Sequence, residues 1–456
     1  MHDTCSEQLA VFVEKILYRD LSPEVVQMAK NCFLDWLGCV YASKDDPAVK
    51  SMAEVARLSR GKEHSTVIPY REKNSAPFAA LVNGAATHAL EMDDVHRDSV
   101  LHAAAVVIPA VFATAERERA SGKSLIEAIV SGYEVMIRVG EGVGRSHYWF
   151  WHNTSTCGTF GSAAGAGKIL GLDAEQFVHA FGNAGSQSSG LWEFLIDGAN
   201  TKLLHTGKAA MNGMIAADLA RLNFTGARKI FEGEKGFYLA TSKDYSFDKL
   251  LQGLDQKPPR FRILSNSFKL YPSCRHTHPT IDATLALVTE HDIRWQHIEK
   301  IEVYTYSGAI NLCGAVQLKN PYVAKWHIPF AVATAIKDRR VGLDSYTDST
   351  IKEKNLLDLA SKVGLHLDSE LDALYPAQWP SRVEISLKGG GKVRKTVYYP
   401  KGDPENPPSK EELNNKFRDN LKGILQPRSI EMLIEGIGRL EAQKDVSSLL
   451  GNLQFC

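Results

Sequence analysis

The sequence predicts a mainly α-helical protein with a large all-helical domain and a smaller α+β domain. At 456 residues, the chain is longer than one hydrophobic core usually fills, which indicates more than one domain. Apolar residues recur at the helical period through the first half of the chain, where alanine and glycine are frequent. Alternating patterns that are typical of strands begin only after about residue 256.

The helical half has a clear start at Ser22-Pro23-Glu24, where serine suits the N-cap, proline the first turn and glutamate the positive helix N-terminus. Further helices are predicted over residues 79–91, 104–120, 124–140, 158–170, 174–188 and 208–222. Because their small residues let helix backbones approach closely, we expect a compact bundle and not an open sheet with crossover helices.

The α+β domain follows a turn-rich segment, Gln256-Lys-Pro-Pro-Arg. Strands are predicted at 300–306 and 382–388, with a hairpin through 389–391 into 392–399, and helices at 279–289 and 328–337. From residue 410 the chain is charged and helical again. We therefore assign residues 1–265 and 401–456 to the helical domain and residues 266–400 to the α+β domain.

Composition excludes several classes of function. Lys+Arg and Asp+Glu are equal at 53 each, so no overall field recruits nucleic acid or an anionic membrane, and a local cluster must hold any anionic ligand. The acidic N-terminal segment is unlike a secretory leader, and the longest apolar run, 103–113, is too short to span a bilayer. Seven scattered cysteines without a CxxC pair favour a reducing, cytoplasmic location and disfavour a zinc ribbon.

Two glycine-rich segments, 140–144 and 161–167, resemble parts of a dinucleotide-binding loop. Neither follows a predicted strand, and neither has the acidic partner that such a loop requires. Close packing between helices is the better interpretation. The sequence contains no Walker motif, GxSxG elbow or HExxH motif.

Residues 88–102 contain three histidines, three aspartates and one arginine between two apolar helices. The return to core-type sequence directly afterwards argues against a solvated loop. A divalent metal is one alternative, although the segment lacks HxH and HxxxH pairs. Helix capping by Asp93 or Asp94 is the structural alternative.

Further candidates lie at helix starts and after the domain boundary. His152 precedes a helix of small residues, where it either caps the helix or presents an imidazole whose pKa the helix field lowers. Lys202 follows a loop. A lone lysine is usually exposed, and Lys202 is a candidate only because other candidate residues accompany it. Arg275, His276 and His278 form a cationic cluster suited to a carboxylate.

Five collinear blocks resemble the MmgE/PrpD family, which includes 2-methylcitrate dehydratases, cis-aconitate decarboxylases and iminodisuccinate epimerase. The blocks run from Leu21 towards Asp338 and beyond: LSPEVVQMAKNCFLDWLGC, LVNGAATHALEMDDVH, HNTSTCGTFGSAAGAGKILGL, TKLLHTGKAAMNG and YPSCRHTHPTIDA. The resemblance implies a helical domain with an α+β lid, an active site between them, a homodimer, and neither a metal nor an organic cofactor. The catalytic positions that it implies are Asp93, His102, His152, Lys202 and His278, with Arg97 also at the site.

Three positions depart from the family pattern. Ala103 follows His102 where many relatives have proline, Phe330 stands where the decarboxylases and related members have a tyrosine, and Arg97 replaces a small polar residue of the decarboxylase. These departures leave the reaction open while the fold is unaffected.

We expect a cofactor-independent lyase of the dehydratase type that removes a proton α to a carboxylate of a small di- or tricarboxylate. Epimerisation of a dicarboxylate such as iminodisuccinate and cis-aconitate-type decarboxylation are the alternatives, and a non-catalytic binding protein is a third class. His102 and His152 are the expected acid/base pair. Lys202 and His278 are expected to bind carboxylate and the developing negative charge, and Asp93 to orient a histidine or an internal positive group. Arg97, Arg275 and His276 are the expected substrate-binding residues.

Overall fold

The computed structural model describes residues 4–59, 61–314, 317–451 and 453–456. It confirms a mainly α protein with little strand. The chain divides into two compact units. The helical unit comprises the described residues of 1–89, 93–266 and 410–456, and the second unit comprises 90–92 and 267–409.

The helical unit is built from helices that the structure bounds as follows: α1 Cys5–Glu14, α2 Pro23–Ala42, α3 Pro47–Leu58, α4 Ala76–His88, α5 Ala104–Glu118, α6 Gly122–Val143, α7 Arg145–Tyr148, α8 Asn153–Leu170, α9 Ala174–Gln187, α10 Phe194–Asp197, α11 Thr201–Arg221, α12 Phe237–Thr241 and α13 Phe247–Leu251. Short strands are β1 Ser65–Val67, β2 Glu72–Asn74, β3 Val95–His96 and, at the boundary, β4 Asn266–Ser267. The first pair is antiparallel.

The second unit contains the strands β5 Ile298–Thr305, β6 Val363–Leu367, β7 Ser381–Leu387 and β8 Lys392–Val397. Its helices are α14 His278–Glu290, α15 Ser307–Cys313, α16 Pro321–Ala324, α17 Ile328–Asp338, α18 Lys354–Ala360 and α19 Ser369–Leu374. The strand order is β6-β5-β7-β8, with β5 parallel to β6 and antiparallel to β7. The predicted hairpin joins β7 and β8, and Gly389, Gly390 and Gly391 all have positive φ in its turn.

The last helices, α20 Lys410–Leu421 and α21 Pro427–Gly438, belong to the helical unit. In α20, Lys416 forms a buried ion pair with Asp35 of α2. Because each buried charge would be strongly destabilised alone, this pair ties the C-terminal segment to the first helices.

Helix α8 forms the centre of the helical unit, where it packs against α5, α6, α9 and α11. Every residue from Asn153 to Gly167 is buried. At Gly161, an added Cβ would lie 2.5 Å from Cβ of Met136 and 2.8 Å from the carbonyl oxygen of Gly132, so α8 and α6 approach more closely than larger side chains allow. The expectation of close helix packing at the glycine-rich segment 161–167 is therefore confirmed.

Several predicted boundaries move. The helix predicted over 79–91 ends at His88, since Glu91 has φ of 57°. The helix predicted from 208 begins at Thr201, so Lys202 lies in its first turn instead of in the preceding loop. Residues 90–92 and 401–409 fall in the second unit, whereas the sequence predicts them in the helical domain, and Asn266, predicted in the α+β domain, falls in the helical unit.

Within the described part of the chain, no helix combines the length and the apolar character that crossing a bilayer requires. The seven cysteines are free thiols, and all except Cys456 are buried.

Candidate active site

The Asp93 carboxylate holds two imidazoles in the helical unit. Its Oδ2 atom accepts a hydrogen bond from Nδ1 of His88, the last residue of α4, at 2.7 Å. Nδ1 of His102 lies 3.4 Å from the same oxygen. Because a carboxylate oxygen accepts and does not donate, His88 carries a proton on Nδ1. Asp93 therefore has the geometry that is needed to orient histidine rings.

A backbone carbonyl fixes the tautomer of His102. Nδ1 of His102 lies 2.6 Å from the carbonyl oxygen of Asp94, and its backbone N–H donates to Oγ1 of Thr154 at 3.2 Å. A carbonyl oxygen only accepts, so Nδ1 bears a proton and Nε2 of the neutral ring keeps the lone pair. The His102 side chain is 16% exposed, whereas that of His88 is fully buried. His102 thus has a basic nitrogen and is the more exposed of the two rings.

Asp94 supports this loop from inside the core. Its carboxylate accepts from the Tyr133 hydroxyl at 2.7 Å, from Nδ2 of Asn266 at 2.8 Å and from the backbone N–H of Ala104, at the start of α5, at 2.9 Å. Burial is the largest cause that raises the pKa of Asp94, to about 7. The structural alternative, capping of a helix, is therefore what Asp94 does, and its backbone carbonyl positions His102.

His152 is the N-cap residue of α8, but its side chain makes no capping hydrogen bond. Its ring packs on those of His88 and Trp192, with centroid separations of 5.7 and 4.8 Å. Burial is the main cause that holds the pKa of His152 well below its usual value, and nearby charges, first His88 and then Lys202, act in the same direction. The sequence predicts such a lowering from the helix field, whereas burial is the leading cause. His152 is a neutral imidazole at pH 7.

Lys202 and His205 lie one turn apart on α11 and share a face of that helix. Lys202 is 6% exposed, so the surface position usual for a lone lysine is not observed. Nδ1 of His205 is 3.3 Å from Nδ1 of His152. Burial, followed by the charge of Lys208, lowers the pKa of His205 to about 4. The first turn of α11 thus brings a buried cation and a second neutral imidazole towards His152.

The predicted cationic cluster of Arg275, His276 and His278 lies in the second unit. Arg275 pairs with Asp403 at 2.5 Å and donates to Nδ1 of His278 at 2.9 Å. Nε2 of His278 then bears the proton and donates to the carbonyl oxygen of Ser273 at 3.2 Å. His278 is therefore held in one tautomer by two contacts within its own unit.

His276 is also buried in the second unit. Nδ1 of His276 lies 2.6 Å from the Tyr306 hydroxyl, and its ring stacks on Trp379 at 4.3 Å. Burial lowers its pKa to about 3, so His276 is neutral at pH 7 and offers no positive charge to an anion.

Arg97 is half-buried in the loop that carries Asp93 and His102, with Nε 3.8 Å from a carboxylate oxygen of Asp98. The neighbouring His96 is directed elsewhere, since its Nδ1 lies 2.7 Å from the Ser99 hydroxyl. The roles of Arg97, Arg275, His276 and His278 towards a substrate stay predictions.

Among the described residues, one group of three has metal-ligand character: His88, Asp93 and His102, whose ligand atoms lie within 4.8 Å of one another. All three lie within the segment 88–102, for which the sequence leaves a divalent metal as one alternative. Both Nδ1 atoms that face the carboxylate already donate to oxygen acceptors. A metal at those two Nδ1 atoms would have to displace two protons, so the Nδ1 contacts serve to orient the rings.

Sequence analysis missed His88 and His205 as members of the site. His88 precedes Asp93 in the same polar segment, and His205 follows Lys202 by three residues, which is one helical turn. The spacing would have found His205 had the helix been predicted to start at Thr201. No local signal reveals the contact of His88 with Asp93, because the chain between them reverses outside any regular element.

The fold and this cluster together define a helical protein whose buried imidazoles, carboxylate and lysine suit acid–base chemistry. The chain belongs to the MmgE/PrpD family: residues 7–250 match the MmgE/PrpD N-terminal domain and residues 271–441 match the MmgE/PrpD C-terminal domain. The family resemblance of the five sequence blocks is thereby confirmed.

Curated relatives are similar along almost their whole length. A cis-aconitate decarboxylase of Aspergillus terreus is 26% identical over 94% of this chain and 92% of that protein. A cis-aconitate decarboxylase-like protein, oryM, of Aspergillus oryzae is 25% identical over 97% of this chain and 96% of that protein. A cis-aconitate decarboxylase of Homo sapiens is 26% identical over 98% of this chain and 94% of that protein.

Exhaustive chelation is expected to leave turnover of a di- or tricarboxylate unchanged, because the Nδ1 atoms of His88 and His102 are engaged as donors. The measurement is kcat/KM before and after treatment with EDTA, with the metal content determined on the same samples. Loss of turnover with rescue by one divalent ion would contradict the expectation and place a metal at His88, Asp93 and His102.

Proposed function

We propose that this protein is a lyase that removes a proton α to a carboxylate of a small di- or tricarboxylate, without a metal or an organic cofactor. The observation that carries the proposal is the buried group around Asp93: a basic nitrogen on His102, a neutral imidazole at His152 and a buried Lys202. The relatives named as cis-aconitate decarboxylases support a lyase that acts on a tricarboxylate.

The roles follow from the chemistry of the step. A proton next to a carboxylate is weakly acidic, and its removal creates an enediolate-like dianion, so the site needs a base and positive charge. His102 takes the proton on Nε2, and an imidazolium formed there has the Asp93 carboxylate 3.4 Å away as its counter-ion. Lys202 neutralises the developing negative charge, and His152 is the other member of the acid/base pair. Burial makes each of these charge interactions stronger than it is in water.

The proposal assigns the substrate's carboxylates to Arg97, Arg275, His276 and His278. Arg97 acts as a direct cationic ligand. In the second unit, Arg275 is already paired with Asp403, which supports an indirect role for Arg275 in substrate binding. Arg275 acts through His278, which it keeps in the Nε2–H tautomer. The N–H of His278 already donates to the carbonyl oxygen of Ser273, so binding of a carboxylate to His278 would replace that hydrogen bond. The neutral His276 acts as a hydrogen-bonding group and not as a charge.

Dehydration is the leading reaction in this proposal: the carbanion expels a β-hydroxyl and a double bond forms. Decarboxylation is the second candidate, and the names of the relatives favour it. Two residues separate this chain from the decarboxylase pattern. Arg97 adds a cation where that pattern has a small polar residue, and Phe330, in the core of the second unit, has no hydroxyl to donate.

The decisive experiment is a panel of di- and tricarboxylates incubated with the enzyme in D2O and followed by NMR and mass spectrometry. A dehydratase near equilibrium incorporates solvent deuterium into the re-formed hydroxy acid. A decarboxylase releases CO2 and labels the product along the allylic system. An epimerase labels only the inverted isomer at the α carbon. Binding without turnover across the panel would contradict an enzymatic role and favour the binding-protein alternative.

Replacing His102 with alanine is expected to lower kcat by about 10²–10⁴-fold, the usual contribution of a positioned general acid or base. Lys202→Ala is expected to lower it by about 10²–10³-fold, because the developing dianion loses a buried cation. Steady-state kinetics on the same substrate measures both. His179→Ala on α9 and Lys168→Ala on α8 are matched controls, as these side chains contact Gly226 and the carbonyl oxygen of Glu14 instead. Full activity of a folded His102 or Lys202 variant would remove that residue from the mechanism.

We further propose that the protein is a homodimer assembled through the helical unit. Two neighbouring segments, 148–151 and 191–196, expose a group of apolar side chains: Trp149, Phe150, Leu191, Leu195 and Ile196. The backbone N–H of Trp192 donates to the carbonyl oxygen of Phe150 at 3.1 Å, so the segments form one surface. A two-fold interface needs only one such patch, since each subunit contributes the same surface.

Sedimentation at micromolar concentration is expected to give the mass of two chains, and the double substitution Trp149→Asp, Ile196→Asp is expected to give one. Both side chains are more than three-quarters exposed, at 77% and 79%. Leu222→Asp, at a residue that is 78% exposed at the end of α11, is the matched control and should remain dimeric. A single-chain mass for the unmodified protein would refute the proposal.

A further inference from the structure

The contact between His152 and His205 requires a definite arrangement of protons. Their Nδ1 atoms face each other at 3.3 Å. Two N–H groups at that position would repel, and so would two lone pairs, so one Nδ1 donates while the other accepts. Burial keeps both rings neutral at pH 7, with the pKa of His205 lowered to about 4 and that of His152 well below its usual value. The pair therefore holds complementary tautomers.

The surroundings prevent the two rings from separating. The backbone N–H of His152 donates to the carbonyl oxygen of Gly190 at 2.9 Å. A Cβ added at Gly190 would lie 3.3 Å from Nδ1 of His205, so the loop runs directly against that ring. On another side, the ring of Phe194 meets His205 edge-on, with a centroid separation of 5.4 Å. The loop that follows α9 and the first residue of α10 thus pack against these two imidazoles.

The direction of this hydrogen bond decides what His152 offers to a substrate. If His205 donates, Nδ1 of His152 accepts, and the proton of the neutral His152 ring sits on Nε2. If His152 donates, its Nε2 is a lone pair instead. His102 already presents a basic Nε2, because the Asp94 carbonyl holds its Nδ1 as a donor. If Nε2 of His152 were also unprotonated, neither His102 nor His152 would have an Nε2–H to donate to the substrate.

We propose that His205 is a positioning residue that donates its Nδ1–H to Nδ1 of His152, so that His152 holds a proton on Nε2 for hydrogen bonding to the atom that gains negative charge. This inference rests on the proposed function and deepens it, since it assigns His102 as the base and His152 as the neutral donor. His205 acts only through His152, and its contribution is the tautomer and orientation of that ring.

Two variants of His205 separate positioning from packing. His205→Asn places an amide near the original Nδ1 position and can still donate, whereas His205→Leu has a similar volume and no donor. We expect His205→Leu to lower kcat by about 10²-fold, the usual effect of losing one donor at a catalytic site, with KM changed by less than about threefold. His205→Asn is expected to restore kcat to within about fivefold of the unmodified enzyme. Equal loss in both variants, or none in His205→Leu, would overturn the proposal.

A spectroscopic measurement tests the same idea without any turnover. In protein labelled with ¹⁵N-histidine, the signals of His152 are assigned by their loss in His152→Asn. They should show a protonated Nε2 and an unprotonated Nδ1, and His205→Leu should abolish that preference. His147 is an internal control, since its Nδ1 faces the carbonyl oxygen of Thr241 and its Nε2 the Thr156 hydroxyl, at 3.3 and 2.8 Å.

The two readouts distinguish the possible failures. A protonated Nδ1 on His152 in the unmodified protein overturns the assignment of His205 as the donor, whatever the enzyme does. Absence of turnover on every polycarboxylate, with the expected tautomer present, contradicts the proposed function and leaves the tautomer assignment supported.

Discussion

The contact between Gly84 of α4 and Gly207 of α11 sets the spacing on which the candidate site depends. A Cβ added at Gly84 would lie 2.9 Å from Cα of Gly207, and one added at Gly207 would overlap the carbonyl oxygen of Leu81. The two helices therefore meet backbone to backbone, which only glycine permits at this distance. His88 is one turn beyond Gly84, and His205 is two residues before Gly207. Any larger residue at either glycine would move the two histidine-bearing helices apart.

The polar side chains beside this close packing are largely buried, so they depend on one another for hydrogen bonds. Asp93 lies against the Nδ1 atoms of two imidazoles, the Asp94 carbonyl accepts from His102, and His152 shares a hydrogen bond with His205. Each of these contacts removes a choice of tautomer. Burial makes His152 and His205 neutral, and it also leaves contacts within the protein to determine which of their ring nitrogens carries the proton.

Much of the fold followed from local sequence, because small residues at helical spacing and the Gly389–Gly391 turn act over short range. The start of α11 at Thr201 did not follow from local sequence. Its N-cap residue Asn200 is of a type that is common both at helix starts and in turns, and it makes no side-chain capping hydrogen bond. Strand Val363–Leu367 was also unpredicted, since its parallel partner in the sheet is about sixty residues away in the chain.

The site divides in the same way between what local sequence predicts and what depends on distant contacts. Asp93, His102, His152 and Lys202 were predicted from the company of charged residues and from the family resemblance, and the structure places all four in the helical unit. The tautomers were beyond prediction, because each depends on an acceptor that the fold supplies, such as the Asp94 carbonyl for His102. Sequence therefore predicts which groups are present, whereas packing determines the protonation in which they work.

Two imidazoles of the same intrinsic basicity become different groups in this unit. His102 has a carboxylate 3.4 Å away and a partly exposed side chain. His152 is buried among aromatic rings and has His88, Lys202 and His205 as its charged or titratable neighbours. An imidazolium has a counter-ion at the first position and is opposed by burial and positive charge at the second, which separates a proton acceptor from a neutral donor. Dehydration, epimerisation and decarboxylation all need charge stabilised beside a carboxylate, so this division serves each of them. The choice among these reactions would then come from the groups that hold the substrate, among which we propose Arg97.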